Sequence, residues 1–286
     1  YDRSRYQLDF RNPEVIAYVN GVMDRIITDY GVGYIKMDYN IEPGIGTELY
    51  ADSVGDGMLG HERAYIAWLK SIFEKYPDLI IENCSSGGLR MDYAMLSQYS
   101  IQSTSDQEYY DRYATISANA PAGLTPEQAA VWSYPMREGD KEEVVFNMVN
   151  AMLLRIHQSG HLAELSDERK ALVKEGLDYY KTIRNSIKTA LPFWPLGLSN
   201  YEDEWVSLGL LTQDGTNKIY LSVFRRDGGE ETCALPISYT KGKKVSVKCA
   251  YPSYEECEYC WNESGKQLSV CFPKRNMARL FELTLE

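Results

Sequence analysis

Lys36 and Asp38 stand two residues apart in the stretch GYIKMDYN, residues 33–40. The stretch reads as a short buried strand, on which alternate side chains share a face, so the two charges converge on one space while Ile35 and Met37 take the other side. An unpaired buried carboxylate costs several kcal/mol. Such a pair is therefore either a mutually satisfied structural bridge or the floor of a polar site. Two further strand ends add candidates: Cys84 followed by SSGG, and Asp106. Two carboxylates projecting from different strands into one cleft are the minimum equipment for glycoside hydrolysis, one as nucleophile and one as general acid and base. Lys36 would keep Asp38 ionised, and a less polar setting at Asp106 would hold a proton for the leaving oxygen. The amides of Ser85 to Gly88 could donate to sugar hydroxyls, since glycine allows close approach to the main chain. The plainer alternatives are that SSGG is a turn and that Asp106 caps a helix beginning near Gln107.

The elements that must position these groups are regular. Asn12 as N-cap, Pro13 at the first helical position and Gly31 as stop bracket an amphipathic helix that runs into the strand at 34–38. A loop of about 20 residues, a helix over 60–77, a strand within 78–88 and a third strand within 99–104 follow. Helices are expected near 126–135, 141–158 and 166–188. Strands alternating with helices imply parallel strands and right-handed crossovers. Polar and glycine-rich residues fall just past the strand ends, where a β/α barrel or an open doubly wound sheet builds its site. After about residue 198 the texture changes to short β-branched and aromatic runs such as WVSLGLLT and KIYLSVFRR. The expected division is a β/α portion over 1–198 and an all-β antiparallel sandwich over 199–286.

Bulk composition narrows the partners. With 286 residues, 44% hydrophobic and 25% charged, the chain has the usual globular mix. A net charge of −11 argues against a nucleic-acid backbone as partner. No apolar run of about 20 residues is present to span a membrane. The six cysteines, five of them after position 230, show no disulfide-scaffold spacing, so reduced thiols and a cytoplasmic location are expected. His157 and His161 are spaced for a metal but lack a third ligand, and Cys257 and Cys260 form a CxxC without a second pair. No metal or cofactor is expected.

YIKMD, ENCSSGGLRMD and TSDQEYYDR, in this order, resemble glycoside hydrolase family 36, the α-galactosidase (melibiase) family, and the likeness continues into MARLFEL near the end. The matching family stretches read approximately KWDMN, E-C-SSGG-R-D and SDN-D-R. The resemblance implies the second half of a (β/α)8 TIM-type barrel, incomplete at its N-terminus, with about five of the eight units, followed by a β domain. It implies a retaining α-galactosidase acting on α-galactoside oligosaccharides such as melibiose and raffinose by double displacement. Asp38 would be the nucleophile and Asp106 the acid and base, while Lys36, Cys84, Gly87 and Arg3, with Arg5 as the competing arginine, would line the galactose pocket. Ser86, Arg90, Asp92 and Arg112 also match and would be structural. The chain departs from the pattern at Met37, where the family has Trp, at Tyr39, where it has Met, and at Gln107, where it has Asn. The alternative is an incompetent fragment that serves in carbohydrate binding or assembly. Open strand edges would favour self-association, or pairing with a missing N-terminal half.

Overall fold

The computed structural model describes residues 6–41, 44–240 and 242–286. Two compact units divide the chain, Tyr1–Ser103 and Thr104–Glu286.

In the first unit, helix α1 (Pro13–Asp24) starts as its sequence dictates, with the Asn12 side chain accepting from the Glu14 amide. It continues as a π-helical turn, Arg25–Asp29. Strand β1 (Tyr34–Asp38) follows, then α2 (Val54–Lys75), β2 (Ile80–Cys84), the single-turn α3 (Tyr93–Leu96) and β3 (Ile101–Ser103). β2 pairs in parallel with β1 and with β3. Helix α2 begins six residues earlier than the 60–77 expected, because Ser53 supplies a cap, its Oγ accepting the Asp56 amide at 3.1 Å. Gly57 permits this start, since a Cβ there would meet the Thr47 carbonyl oxygen at 2.0 Å. Ile35 and Met37 pack against a core of Trp68, Leu69, Ile72, Ile81 and Tyr99. The other face of β1, carrying Tyr34, Lys36 and Asp38, is exposed, so the strand is buried on one side only.

The second unit starts with α4 (Tyr110–Asn119), β4 (Ala129–Ser133), α5 (Lys141–Met152), β5 (Arg155–Gln158) and α6 (Asp167–Ile187). β4 and β5 are parallel. The helix expected over 126–135 is instead strand β4, and the one expected over 141–158 ends at Met152 before β5. Ala129, Ala130 and Val131 are buried, a setting in which tertiary packing overrides the helical propensity of alanine and glutamine. Antiparallel strands then take over: β6 (Leu191–Phe193), β7 (Trp205–Leu211), β8 (Lys218–Arg225), β9 (Thr232–Pro236), β10 (Val245–Tyr251), β11 (Glu258–Asn262), β12 (Gln267–Cys271) and β13 (Met277–Leu285). They form a five-stranded sheet, β10-β13-β8-β7-β6, and a three-stranded sheet, β11-β12-β9. Ile219, Leu221, Val223, Leu235, Val270, Phe281 and neighbours from both sheets share one core.

Polar contacts join this β region to the helices before it. Arg279, fully buried, makes a two-pronged pair with Glu142 of α5 at 2.7 and 2.9 Å, and the Tyr254 hydroxyl donates to the same carboxylate at 2.9 Å. Arg226 donates to the Asn200 carbonyl at 2.6 Å and the Thr115 hydroxyl at 3.0 Å, pinning the 194–203 connection onto α4. These ties hold the β region against the helices before it within the second unit.

Candidate active site

The C-terminal ends of β1 and β2 bring Lys36, Asp38, Cys84 and Gly87 together in the first unit. The parallel register sets Lys36 opposite Glu82 and Asp38 opposite Cys84. Lys36 Nζ lies 3.4 Å from Glu82 Oε1, and the Tyr34 hydroxyl donates to the other oxygen of that carboxylate. Glu82 is 2% exposed, so the cross-strand partner of Lys36 is a buried carboxylate different from Asp38, with which the sequence offered a mutual bridge as one reading. Asp38 itself is exposed and accepts from Asn40 Nδ2 at 2.9 Å.

The SSGG segment is a clamp on the chain just after Asp38. Ser86 and Gly87 both take positive φ, 41° and 76°. The tight loop sends the Ser86 amide to Asn40 Oδ1 at 2.6 Å and the Ser85 hydroxyl to the Tyr39 carbonyl. Arg90 donates to the Ile41 carbonyl at 3.0 Å and lies over the Tyr39 ring, 3.7 Å from its centre. The Ser85 and Ser86 amides, expected to be available to sugar hydroxyls, are thus engaged within the protein, the former with the Gly87 carbonyl at 3.2 Å. Cys84 is buried; burial pushes its thiol up, while the Gly87 amide and the Ser103 hydroxyl hydrogen-bond to it and pull the other way. Asp92 caps α3, accepting from the Ala94 and Met95 amides. Arg3 lies outside the described residues. Met37 points to the apolar side, its Sδ 3.8 and 3.9 Å from the Tyr65 and Tyr99 hydroxyls. A cavity of about 550 Å3 is lined by Phe10, Met37, Asp38, His61, Tyr65 and Arg90 among others.

In the second unit, Asp106 is exposed and does not cap the following helix, which starts at Tyr110 with Tyr109 at the cap position. The approach to Asp106 is fixed from below. Thr104 donates through its amide and hydroxyl to the Ala130 carbonyl at 3.2 and 2.7 Å. Buried Tyr113 donates to the Ser105 carbonyl at 3.2 Å and lies 3.0 Å from Thr104 Oγ1; burial pushes its phenol up to about 12. Asp106 borders a cavity of about 210 Å3 that also includes Gln107, Glu108, Trp132, Tyr134 and Ser159. Trp132 and Tyr134 escaped the sequence reading because their segment was assigned to a helix. The run AVWSY, β-branched and aromatic before Pro135, carried the strand signal. Glu82 and Asn40 escaped because neither cross-strand register nor loop clamping is encoded in local spacing. His161 Nδ1 accepts the Arg137 amide at 3.1 Å, and His157 stacks edge-on against Trp132.

Parallel β/α units with polar residues just past the strand ends, continued by an antiparallel β region, define a β/α-barrel protein with a C-terminal β domain. The chain belongs to the melibiase family, whose model matches residues 1–190. It is similar to the α-galactosidase Mel36A of Lactobacillus acidophilus, 30% identical over 92 residues covering 32% of this chain and 13% of that protein. It is also similar to the bifunctional α-galactosidase/sucrose kinase AgaSK of Mediterraneibacter gnavus, 26% identical over 227 residues covering 72% of this chain and 22% of the relative. Among solved structures, the GH36 α-galactosidase AgaA of Geobacillus stearothermophilus in complex with raffinose matches with a TM-score of 0.76 at 16% identity, over 100% of this chain and 41% of that one. The galactosidase domain of AgaSK matches with a TM-score of 0.72 at 21% identity, over 98% and 38%. These likenesses show the fold of a barrel portion with its β domain; the chain spans less than half the length of each of these relatives. Among the described residues no helix is long and apolar enough to cross a membrane.

Proposed function

We propose that this chain carries the catalytic carboxylates of a retaining α-galactosidase acting on terminal α-galactosyl residues of oligosaccharides such as melibiose and raffinose. The observation that carries this reading is that Asp38 stands exposed as the last residue of β1 with its carboxylate held by Asn40, and Asp106 exposed three residues past β3, next to a Ser105 carbonyl held by Tyr113. Family membership and relatives named as α-galactosidases support the substrate class. Asp38 attacks the anomeric carbon, the glycosidic oxygen departs with the proton of Asp106, and a galactosyl ester forms on Asp38. Water, deprotonated by Asp106, then releases galactose and restores both carboxyl groups. Lys36, Cys84, Gly87 and Arg3 are assigned to the galactose pocket. A reducing, cytoplasmic setting suits the six free thiols.

The test is turnover of an α-galactoside combined with mass analysis of a trapped galactosyl adduct. Asp38→Ala abolishes turnover and the adduct. Asp106→Ala impairs substrates with poor leaving groups more than activated ones, because a good leaving group needs less protonation. A ligand-bound crystal structure would show the two carboxyl groups about 5–5.5 Å apart. Equal loss on both substrate types, or an adduct on another residue, counts against the assignment.

A second reading, association through the first unit, is favoured by its exposed aromatic side chains: Tyr18 is 67% exposed, Tyr30 70% and Tyr50 94%. Light scattering tests it, and a monomer at all concentrations rejects it.

A further inference from the structure

We propose that Cys249 and Cys257 form a reactive dithiol that exchanges with low-molecular-weight disulfides, Cys257 attacking first and Cys249 resolving the mixed disulfide. The product is a disulfide that ties β10, in the five-stranded sheet, to the segment entering β11, in the three-stranded one.

The backbone brings the two side chains together. Cys249 lies opposite Phe281 in the β10–β13 ladder, and the Tyr259 ring packs edge-on against Phe281 with ring centres 5.2 Å apart. The Tyr259 hydroxyl in turn accepts the Cys249 amide at 3.2 Å. Cys257 stands two residues before Tyr259, and both pack against the core to which Cys249 belongs. The Cys249 thiol donates to the Cys257 sulfur, to which the Arg279 guanidinium also donates. The CxxC spacing would instead pair Cys257 with Cys260. Strand β11 turns Tyr259 and Trp261 to the core, however, and leaves Cys260 exposed between them.

The setting divides the two thiols by role. The hydrogen bond from Cys249 and the charge of Arg279 hold the Cys257 thiol below its usual value, against burial and the nearby Glu255 carboxylate. The same bond, with burial, pushes the Cys249 thiol up, so Cys249 keeps its proton. Arg279 is fixed there by the Glu142 carboxylate and the Glu255 carbonyl. Cys257 is half-buried and open to a small reagent, whereas Cys249 is buried. A thiolate, not a thiol, attacks a disulfide, so Cys257 is the entry point and Cys249 the resolving group.

In the first step the Cys257 thiolate bonds to one sulfur of a disulfide, RSSR. The S–S bond breaks, and the departing RS− takes the proton that Cys257 had released. In the second step the Cys249 sulfur bonds to Cys257, and the second RS− leaves with the Cys249 proton. Two protein thiols are oxidised to one disulfide, and RSSR is reduced to two RSH.

The experiment incubates the protein with glutathione disulfide at neutral pH and maps the products by peptide mass analysis, before and after reduction with dithiothreitol. A Cys249–Cys257 disulfide that reduction removes is expected. Cys249→Ser should stop at a glutathione adduct on Cys257, and Cys257→Ser should lose the cross-link and leave Cys249 unmodified. Cys260→Ser should form the cross-link as the unaltered protein does. Cys249→Ala carries the comparison if Cys249→Ser does not fold by circular dichroism. A Cys257–Cys260 disulfide, or an adduct on Cys249 in Cys257→Ser, overturns the proposal. So does a Cys249–Cys257 pair still reduced when the exposed Cys260 is fully modified.

Discussion

Asn40 holds Asp38 and the SSGG loop at once: its Nδ2 donates to Asp38 Oδ2 at 2.9 Å while its Oδ1 accepts the Ser86 amide at 2.6 Å. The amide cannot turn over without losing both bonds, so the orientation of the Asp38 carboxylate is tied to the loop from the neighbouring strand.

Removing that tie is expected to cost activity more than stability. A hydrogen bond to a charged group contributes about 1.5–3 kcal/mol, so Asn40→Ala should lower kcat on α-galactosides by roughly ten- to a hundredfold. A variant with unchanged kcat would show that Asp38 is oriented by other contacts.

Glu82 is a stability prediction. Its carboxylate is buried and meets Lys36 Nζ and the Tyr34 hydroxyl. Glu82→Ala leaves both without that acceptor and is expected to destabilise by about 1–3 kcal/mol in urea unfolding. A loss below about 0.5 kcal/mol would mean that Lys36 and Tyr34 find water instead.

For the pair Glu142 and Arg279, removing one member leaves a fully buried guanidinium uncompensated. Glu142→Ala should cost about 3–5 kcal/mol, whereas the double change Glu142→Leu with Arg279→Met should recover much of it. Equal instability of the single and double variants would refute a charge-based account.

His61 supplies a pH dependence. Its Nδ1 accepts the Phe10 amide at 3.2 Å, which requires that nitrogen to be unprotonated and hence the ring neutral. Burial holds the imidazole below its usual value; Asp9 and Glu62 oppose this, and Arg11 and Arg90 assist. The unfolded chain then binds the proton more readily than the folded one. The His61 contribution is therefore complete above about pH 6.5 and lost as pH falls from there through the lowered folded value. Chemical denaturation between pH 7.5 and 5 should show this slope, and His61→Asn, which keeps an acceptor, should flatten it. An identical slope in the variant would assign the effect to other groups.

Much of this architecture was written in local pattern. The strands at 34–38, 80–84 and 101–103 were readable because alternation or an apolar run ends in polar and glycine residues. Asn12 and Pro13 announced α1 for the same local reason. Ala129–Ser133 was misread because alanine, glutamine and glutamate before it favour a helix, and only burial of Ala129, Ala130 and Val131 makes a strand the better choice. The site divides along the same line. The shared face of Lys36 and Asp38 follows from period two, but the pairing of Lys36 with Glu82 depends on a register between strands 46 residues apart, with Ile80 opposite Tyr34.

Strand β13 has a consequence for the order of events during synthesis. It lies inside the five-stranded sheet between β10 and β8, and its Arg279 reaches back 137 residues to Glu142. Until residues 277–285 emerge from the ribosome, that sheet has a gap between β10 and β8, and Glu142 of α5 lacks its cation. Contacts of such long sequence separation close late and slowly. The second unit therefore spends most of its translation unable to finish folding, and nascent chains stalled before residue 277 should be the protease-sensitive, chaperone-bound species in a cell.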